Sequence, residues 1–234
     1  MGYKLLSVNS NPKIDKSNKV SEEYWSCIMH LRPVSTKICP YQDIAGCKAG
    51  CLNTAGLGGV YPSIQDARQK KTELFLNDQE EFMRVLVKDI HTFIRACDRK
   101  DKLPAIRLNG TSDIQWEYIA IDGYENIFEM FPSVQFYDYT KIPNRLVPDS
   151  SVYDLTFSYS GVERYQRHVD TARAMGMRLA VVFRYRTQIP KTFLGMDVVD
   201  GDDSDLRFLE PQGVVSALYA KGKAVHDQSG FVVG

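Results

Sequence analysis

The sequence predicts an α/β domain built from parallel strands and crossover helices. Three observations lead there. Of the 234 residues, 44% are hydrophobic and 25% charged, the balance of a well-cored globular chain rather than a disordered one. Through the second half, short apolar runs alternate with segments of helical periodicity, the pattern of βαβ units. No internal repeat or low-complexity linker divides the chain, so residues 1–234 read as a single domain. The βα units are too few for an eight-stranded barrel. A partial (β/α) barrel is expected, with an open doubly wound parallel sheet as the alternative.

Element by element, Lys4–Asn9 (KLLSVN) reads as a short strand and Ser10–Glu23 as a polar linker. Tyr24–Leu31 is apolar and aromatic, a second strand or buried edge. A cysteine-rich loop follows over residues 39–59. Ser63–Leu76 reads as a helix with Ser63 as N-cap. Asn77 then caps a longer helix, Asp78–Cys97, with Phe82, Val85, Leu86, Ile90, Phe93 and Ile94 at helical spacing. Strands are expected at Pro104–Asn109, Val134–Tyr139, Leu155–Tyr159, Arg178–Phe183 and Val214–Ala220. Helices are expected at Tyr124–Phe131 and at Gly161–Met175, the latter stopped by Gly176.

Composition excludes some roles. Lys plus Arg equals Asp plus Glu, 29 each, which argues against a protein that coats nucleic acid. No apolar run is long enough to span a bilayer, and the N-terminal stretch lacks a signal-peptide core, so a soluble cytoplasmic protein is expected. Five cysteines in such a compartment point to metal binding or chemistry rather than disulfides.

Three of the five, Cys39, Cys47 and Cys51, fall in CPYQDIAGCKAGCLNTAGLGG with the spacing C-x7-C-x3-C. Thiolates suit zinc or iron–sulfur clusters. A tetrahedral zinc site wants four ligands in short-spaced pairs, and no C-x-x-C pair is present, although Cys27 or His30 could add a ligand. Three local thiolates suit a [4Fe-4S] cluster whose remaining iron is open to a small molecule, to water or to a distant residue. The many small residues of the loop allow close wrapping and N–H···S bonds. Cys97 reads as part of a helix rather than a ligand.

The strands share polar carboxyl ends, where α/β folds bind ligands. IRLNGTSD is the richest, and Arg107, Asn109, Ser112 and Asp113 are the candidate residues for a cofactor or ligand over the open iron. Other motifs are weaker. GLGG at 56–59 is not a dinucleotide fingerprint, and P-loop, H-E-x-x-H and G-x-S-x-G patterns are absent. DGDDSD at 200–205 reads as a solvated acidic turn. RQKK at 68–71, with Lys221 and Lys223, reads as a solvated face that could touch phosphate.

Two resemblances add to this. A strand, a three-cysteine loop, a helix and then βα units resemble the radical S-adenosylmethionine (SAM) enzymes. In that family three cysteines, usually spaced C-x3-C-x2-C, hold a [4Fe-4S] cluster whose open iron chelates SAM. Separately, Cys39–Leu52, Lys71–Asp78, Ile106–Glu117 and Ala220–Ala224 resemble an uncharacterised bacteriophage family, gene-product-88-like. That resemblance implies a phage protein acting in the infected bacterial cytoplasm, without assigned chemistry. The functions to be weighed are a radical-SAM-like iron–sulfur enzyme, a non-catalytic iron–sulfur redox or structural protein, and a zinc-stapled module that contacts nucleic acid.

Overall fold

The structure, a computed structural model, describes residues 4–8 and 12–234. In chain order the elements are β1 (Leu6–Ser7), α1 (Pro12–Val20), β2 (Tyr24–Met29), α2 (Leu57–Val60), α3 (Pro62–Asn77) and α4 (Gln79–Asp98). Then come β3 (Leu103–Arg107), α5 (Ile127–Met130), β4 (Gln135–Thr140), β5 (Tyr153–Ser158), α6 (Gln166–Ala174) and β6 (Leu179–Phe183). A hairpin of β7 (Thr192–Phe193) and β8 (Met196–Asp200) precedes β9 (Val215–Tyr219). These strands form one sheet in the order β1-β2-β3-β4-β5-β6-β9-β8-β7.

From β2 to β9 every neighbouring pair is parallel; β1 is antiparallel to β2 and β7 to β8. The sheet is open, with β1 and β7 as its edges. From β2 to β6 spatial order follows chain order, with none of the reversals that create a doubly wound switch point. The carboxyl ends of β2 to β6 and β9 therefore share one side, and the loops after them converge.

Alternate residues of each strand face opposite layers. One face meets helices. Phe82, Met83, Leu86, Ile90, Phe93 and Cys97 of α4 repeat at helical spacing and pack with Cys27, Met29, Ile106, Leu108 and Phe136. Asp78 caps this helix by accepting from the Glu81 N–H at 3.0 Å, and Glu80 and Glu81 complement the helix dipole. The cap is thus Asp78 rather than the expected Asn77. On α6, Val169 and Ala172 join Phe157, Leu179, Val181, Val215 and Ala217 in a second apolar cluster.

Several boundaries differ from expectation for local reasons. Pro62 takes the first helical position of α3, where its missing N–H costs nothing, so Tyr61 rather than Ser63 stands at the cap. Helix α6 begins only at Gln166, after a 3-10 turn at Glu163–Tyr165, and Gly176 at φ +69 ends it. Leu194 and Gly195 both take positive φ and turn the β7–β8 hairpin, which carries no Asn-Gly signal. The expected N-terminal strand shrinks to Leu6–Ser7, and its predicted end at Asn9 lies outside the described residues.

The expected linker holds helix α1 instead. Its sequence offers little apolar surface beyond Ile14, so no amphipathic stripe announces it. It is fixed from outside. The Asn18 amide accepts from the Ser26 N–H (2.7 Å) and donates to the Ser26 carbonyl (3.0 Å), satisfying strand groups that β1 does not reach.

Helix α1 and residues 202–212 cover the second face of the sheet, and this layer is charged. DGDDSD is not a solvated turn: Asp205 is fully buried, pairing with Arg107 (2.8 Å) and Lys13 (3.0 Å), and Ser17 accepts from its N–H. Arg178, also buried, donates to Asp154 (2.7 Å), Thr156 (2.8 Å) and the Glu210 carbonyl (2.6 Å). Burial pushes the Asp205 pKa up, but Arg107 and Lys13 more than reverse it, holding the carboxyl well below its ordinary range.

Asp205→Asn removes the buried carboxylate that pairs with the buried Arg107 and with the partly exposed Lys13. It should cost about 3–5 kcal/mol in urea unfolding at pH 7. Because the folded pKa is depressed, this stabilisation is full above the unfolded value near pH 4 and fades as pH falls below it. The wild-type advantage over Asp205→Asn should shrink on acidification; an advantage independent of pH would contradict the pairing.

Candidate functional site

The loop after β2 lies across the carboxyl ends of the strands. It is anchored at several points. The Asp113 N–H donates to the Ile38 carbonyl (2.8 Å), and Thr111 Oγ1 donates to the Leu31 carbonyl (2.6 Å). Ser160 Oγ donates to the Ala45 carbonyl (2.7 Å), and Arg164 to the carbonyls of Asp43 (2.6 Å) and Ile44 (3.2 Å). Gly46 takes φ +68 with Ser229 and Val162 close behind it, so the turn before Cys47 requires glycine.

These anchors bring the three loop thiols within electrostatic reach of one another. Cys47 and Cys51 both act on Cys39, and Cys47 acts on Cys51. Burial is the first cause that pushes all three thiols up, so the metal-free thiols are neutral at physiological pH. The Asn53 N–H donates to Cys51 Sγ at 3.4 Å, and Cys47 Sγ donates to the Gln42 carbonyl at 3.8 Å. Among the described residues, no three His, Cys, Asp or Glu side chains converge tightly enough to hold a single metal ion. Cys27 does not belong to this group. It faces α4 and is buried with Cys97 on the helix side of β2.

Two cations stand beside the thiols. Lys141, directly after β4, is buried; its Nζ donates to the carbonyls of Ser158 (2.8 Å) and Tyr159 (3.0 Å). Burial lowers its pKa; Cys47 and Cys39, when ionised, and Asp113 oppose that. Arg68 of α3 donates to Asn53 O (2.8 Å) and Oδ1 (3.0 Å) and acts on Cys51. The RQKK run is therefore not simply a solvated face. Lys71 reaches the Leu5 carbonyl at 2.8 Å, and burial lowers its pKa to about 8. His30, at the end of β2, is acted on by Arg68, Arg107, Lys71 and Asp205. Burial and then those cations bring it to about 3, so it is neutral.

The four residues expected over an open iron separate. Arg107 points into the charged layer toward Asp205, with its guanidinium 4.5 Å from the Tyr139 ring centre. Asn109, Ser112 and Asp113 build the turn after β3. Asn109 Oδ1 accepts from Ser112 Oγ (2.8 Å) and the Ile114 N–H (2.9 Å). Asp113 accepts from Thr140 Oγ1 (2.8 Å) and the Lys141 N–H (2.7 Å), with Arg145 at 3.5 Å. Of the four, Asp113 is the one whose charge acts on both Cys39 and Cys47. Gly110 lets this turn lie against β2, since a Cβ there would collide with the Met29 carbonyl.

A cleft of about 290 Å³ opens beside Cys51, lined by Arg32, Gln42, Lys48, Asn53 and Thr54 among others. It gives this loop a polar opening to solvent.

The Gene product 88 family matches residues 4–234. The chain belongs to that family. The stretches Cys39–Leu52, Lys71–Asp78, Ile106–Glu117 and Ala220–Ala224 are thus part of a family relationship that runs nearly the length of the chain. No curated protein and no solved structure matches it, and nothing in the comparisons supports the expected likeness to radical SAM enzymes. Among the described residues of this Gene product 88 protein, no helix is long and apolar enough to cross a membrane.

The sequence reading missed Lys141 and Arg68. The first hides in TKIP after a strand, and the second in what reads as a solvated basic face. Asp138, beneath the turn, accepts from the Asn109 N–H (2.7 Å) and from Tyr153 (3.0 Å). Burial raises its pKa to about 7 against the pull of Arg107 and these bonds. Between about pH 4 and 7 the folded carboxyl is protonated and the unfolded one is not, so its stabilising contribution is lost as pH rises through that window. Asp138→Asn should therefore gain on the wild type in urea unfolding between those limits; parallel pH curves would rule out the raised pKa. In the metal-free protein, Cys39, Cys47 and Cys51 are partly exposed while Cys27 and Cys97 are buried. Iodoacetamide followed by peptide mass mapping should label the first three slowly in the native state, and the other two only after unfolding.

Proposed function

We propose that this Gene product 88 protein holds a [4Fe-4S] cluster through Cys39, Cys47 and Cys51 and acts as an iron–sulfur enzyme on a small molecule admitted by the cleft beside Cys51. The observation that carries the reading is Lys141. A buried ammonium is costly unless an anion faces it. Among the described residues no carboxylate forms an ion pair with Lys141; its partners are two carbonyls. Asp113 acts on it but is also turned to Arg145. The remaining groups that act on it are Cys39 and Cys47, and neutral thiols would leave its charge unanswered. Thiolates around a cluster answer it, and Arg68 offers a second cation at Cys51.

The sequence spacing C-x7-C-x3-C, with no C-x-x-C pair, is what favours a cluster over zinc. A cluster presents separate irons to separate thiolates. When bound, it supplies one-electron chemistry and an iron open to an added ligand. The chain's own residues would do the rest. Lys141 and Arg68 offset charge, the Asn53 N–H bonds the Cys51 sulfur, and Arg32, Lys48 and Gln42 offer polar contacts in the cleft. A partial (β/α) barrel would likewise carry its cysteine loop after an early strand, and on that expectation SAM is the first ligand to try.

Anaerobic reconstitution with iron and sulfide tests this. About four of each per chain are expected, lost in Cys39→Ala, Cys47→Ala and Cys51→Ala and kept in Cys27→Ala. The electron paramagnetic resonance (EPR) signal of the reduced protein should shift when SAM is added. A full cluster without a shift would point to a redox or structural role instead. Zinc without sulfide would overturn the reading.

A further inference from the structure

We propose that the cleft beside Cys51 binds the oxyanion of a small molecule, a carboxylate or a phosphate, through the Arg32 guanidinium and the Gln42 carboxamide, with Lys48 at its rim. The inference rests on the reading of that cleft as the entrance for a small molecule. It adds the chemical class of the ligand and requires no cluster.

Gln42 decides the matter. It lines the cleft with only 4% of its surface exposed. Its backbone is occupied: the N–H donates to the Cys39 carbonyl (3.4 Å), and the carbonyl accepts from Cys47 Sγ (3.8 Å). Its carboxamide makes no hydrogen bond with any described residue. Leaving a buried amide without a partner is costly, and native structures keep few such groups. The cleft is where this one can find a partner.

The other polar residues around the cleft divide into walls and free donors. Asn53 is a wall: its Nδ2 donates to Gln65 (3.0 Å) and its Oδ1 accepts from Arg68 (3.0 Å). Thr54 Oγ1 is turned to the Cys51 carbonyl at 3.1 Å. Arg32 differs. Its backbone N–H is pinned to Thr72 Oγ1 of α3 (2.8 Å), but among the described residues its guanidinium makes one bond, from Nη1 to Gln69 (3.3 Å). Nε and Nη2 remain, the edge of a guanidinium that takes two oxygens of one carboxylate or phosphate side by side. Lys48 pairs with Asp43 at 3.1 Å, but both side chains are exposed, so the pair is weak and the ammonium can turn to a ligand.

The sign of the charge selects the ligand. Among the described residues no acidic side chain lines the cleft, while two cations do. A volume of about 290 Å³ admits a small acid or phosphate ester.

The test uses the full chain without metal, titrated with inorganic phosphate and, separately, with malonate by calorimetry at constant ionic strength. At least one should bind with a Kd of about 1 mM or tighter. Tighter phosphate assigns a phosphate ester to the cleft, and tighter malonate a carboxylic acid. Arg32 is exposed, so Arg32→Gln should fold; it should weaken binding at least about tenfold. Gln42→Glu, close in shape, should weaken it by a similar factor through like-charge repulsion. Lys37→Gln removes an exposed cation of the same loop outside the cleft and should change the Kd less than about twofold. Cys51 lines the cleft and Cys39 and Cys47 do not, so saturating anion should slow iodoacetamide labelling of Cys51 alone. This last readout needs no variant. No binding of either anion, equal losses in Arg32→Gln and Lys37→Gln, or labelling of Cys51 unchanged by bound anion each overturn the inference. The cluster reading is judged separately, by iron and sulfide content: a chain that binds the anion yet takes up no cluster fails that reading and keeps this one.

Discussion

One buried carboxylate joins the segments on which the site depends. Asp113 receives the Lys141 N–H and the Thr140 hydroxyl at the end of β4, while its own N–H holds the Ile38 carbonyl just before Cys39. The turn after β3, the cysteine loop and the end of β4 are thus fixed to one another by a few short bonds. A carboxylate in that position is costly to bury, and burial raises its pKa despite Arg145 and these donors. The arrangement is tolerable because each partner is itself tied down. Arg145 is gripped by Glu117 through Nε (2.9 Å) and Nη2 (2.6 Å), and Lys141 is fixed by the carbonyls at the end of β5.

The two faces of the sheet are stabilised by different physics. The helix side is conventional, with aromatic and aliphatic side chains of α4 and α6 buried against alternate strand residues. The other side buries Arg107, Arg178, Asp154 and Asp205, with Lys13 partly exposed at its margin, under a helix with almost no apolar surface. Charged layers of this kind contribute little net stability relative to a well-packed apolar layer, yet are sensitive to the loss of any one member. Such a layer fixes where α1 and residues 202–212 sit, since a displaced partner leaves a bare charge behind. It also fixes Arg107, which consequently faces away from the loop.

How far the site could be read in advance differs from residue to residue. The cysteine loop stood out in the sequence because spacing and small residues are local properties. The turn IRLNGTSD was legible as unusual, since so many polar groups rarely follow a strand without cause. The cause, however, is largely architectural: Asn109 and Ser112 satisfy the turn itself, and only Asp113 acts on the cysteines. Lys141 and Arg68 carried no local signal, because a lysine after a strand and an arginine on a helix are ordinarily solvated. Asp205 was hidden for the opposite reason, as one acid among several in a stretch that looks like surface.

By itself the sequence determined the class of fold, most of the strands and the long helices, because apolar periodicity and caps are written in neighbouring residues. It also marked the three cysteines as a group. Only the tertiary structure decided that the strands from β2 to β6 lie in chain order in an open sheet, that α1 forms at all, and which charges stand beside the thiols. Those outcomes depend on contacts between residues far apart in the chain. Lys141, for example, is held by the carbonyls of Ser158 and Tyr159 at the end of β5 and by the Asp113 carboxylate after β3, and no local pattern encodes that meeting.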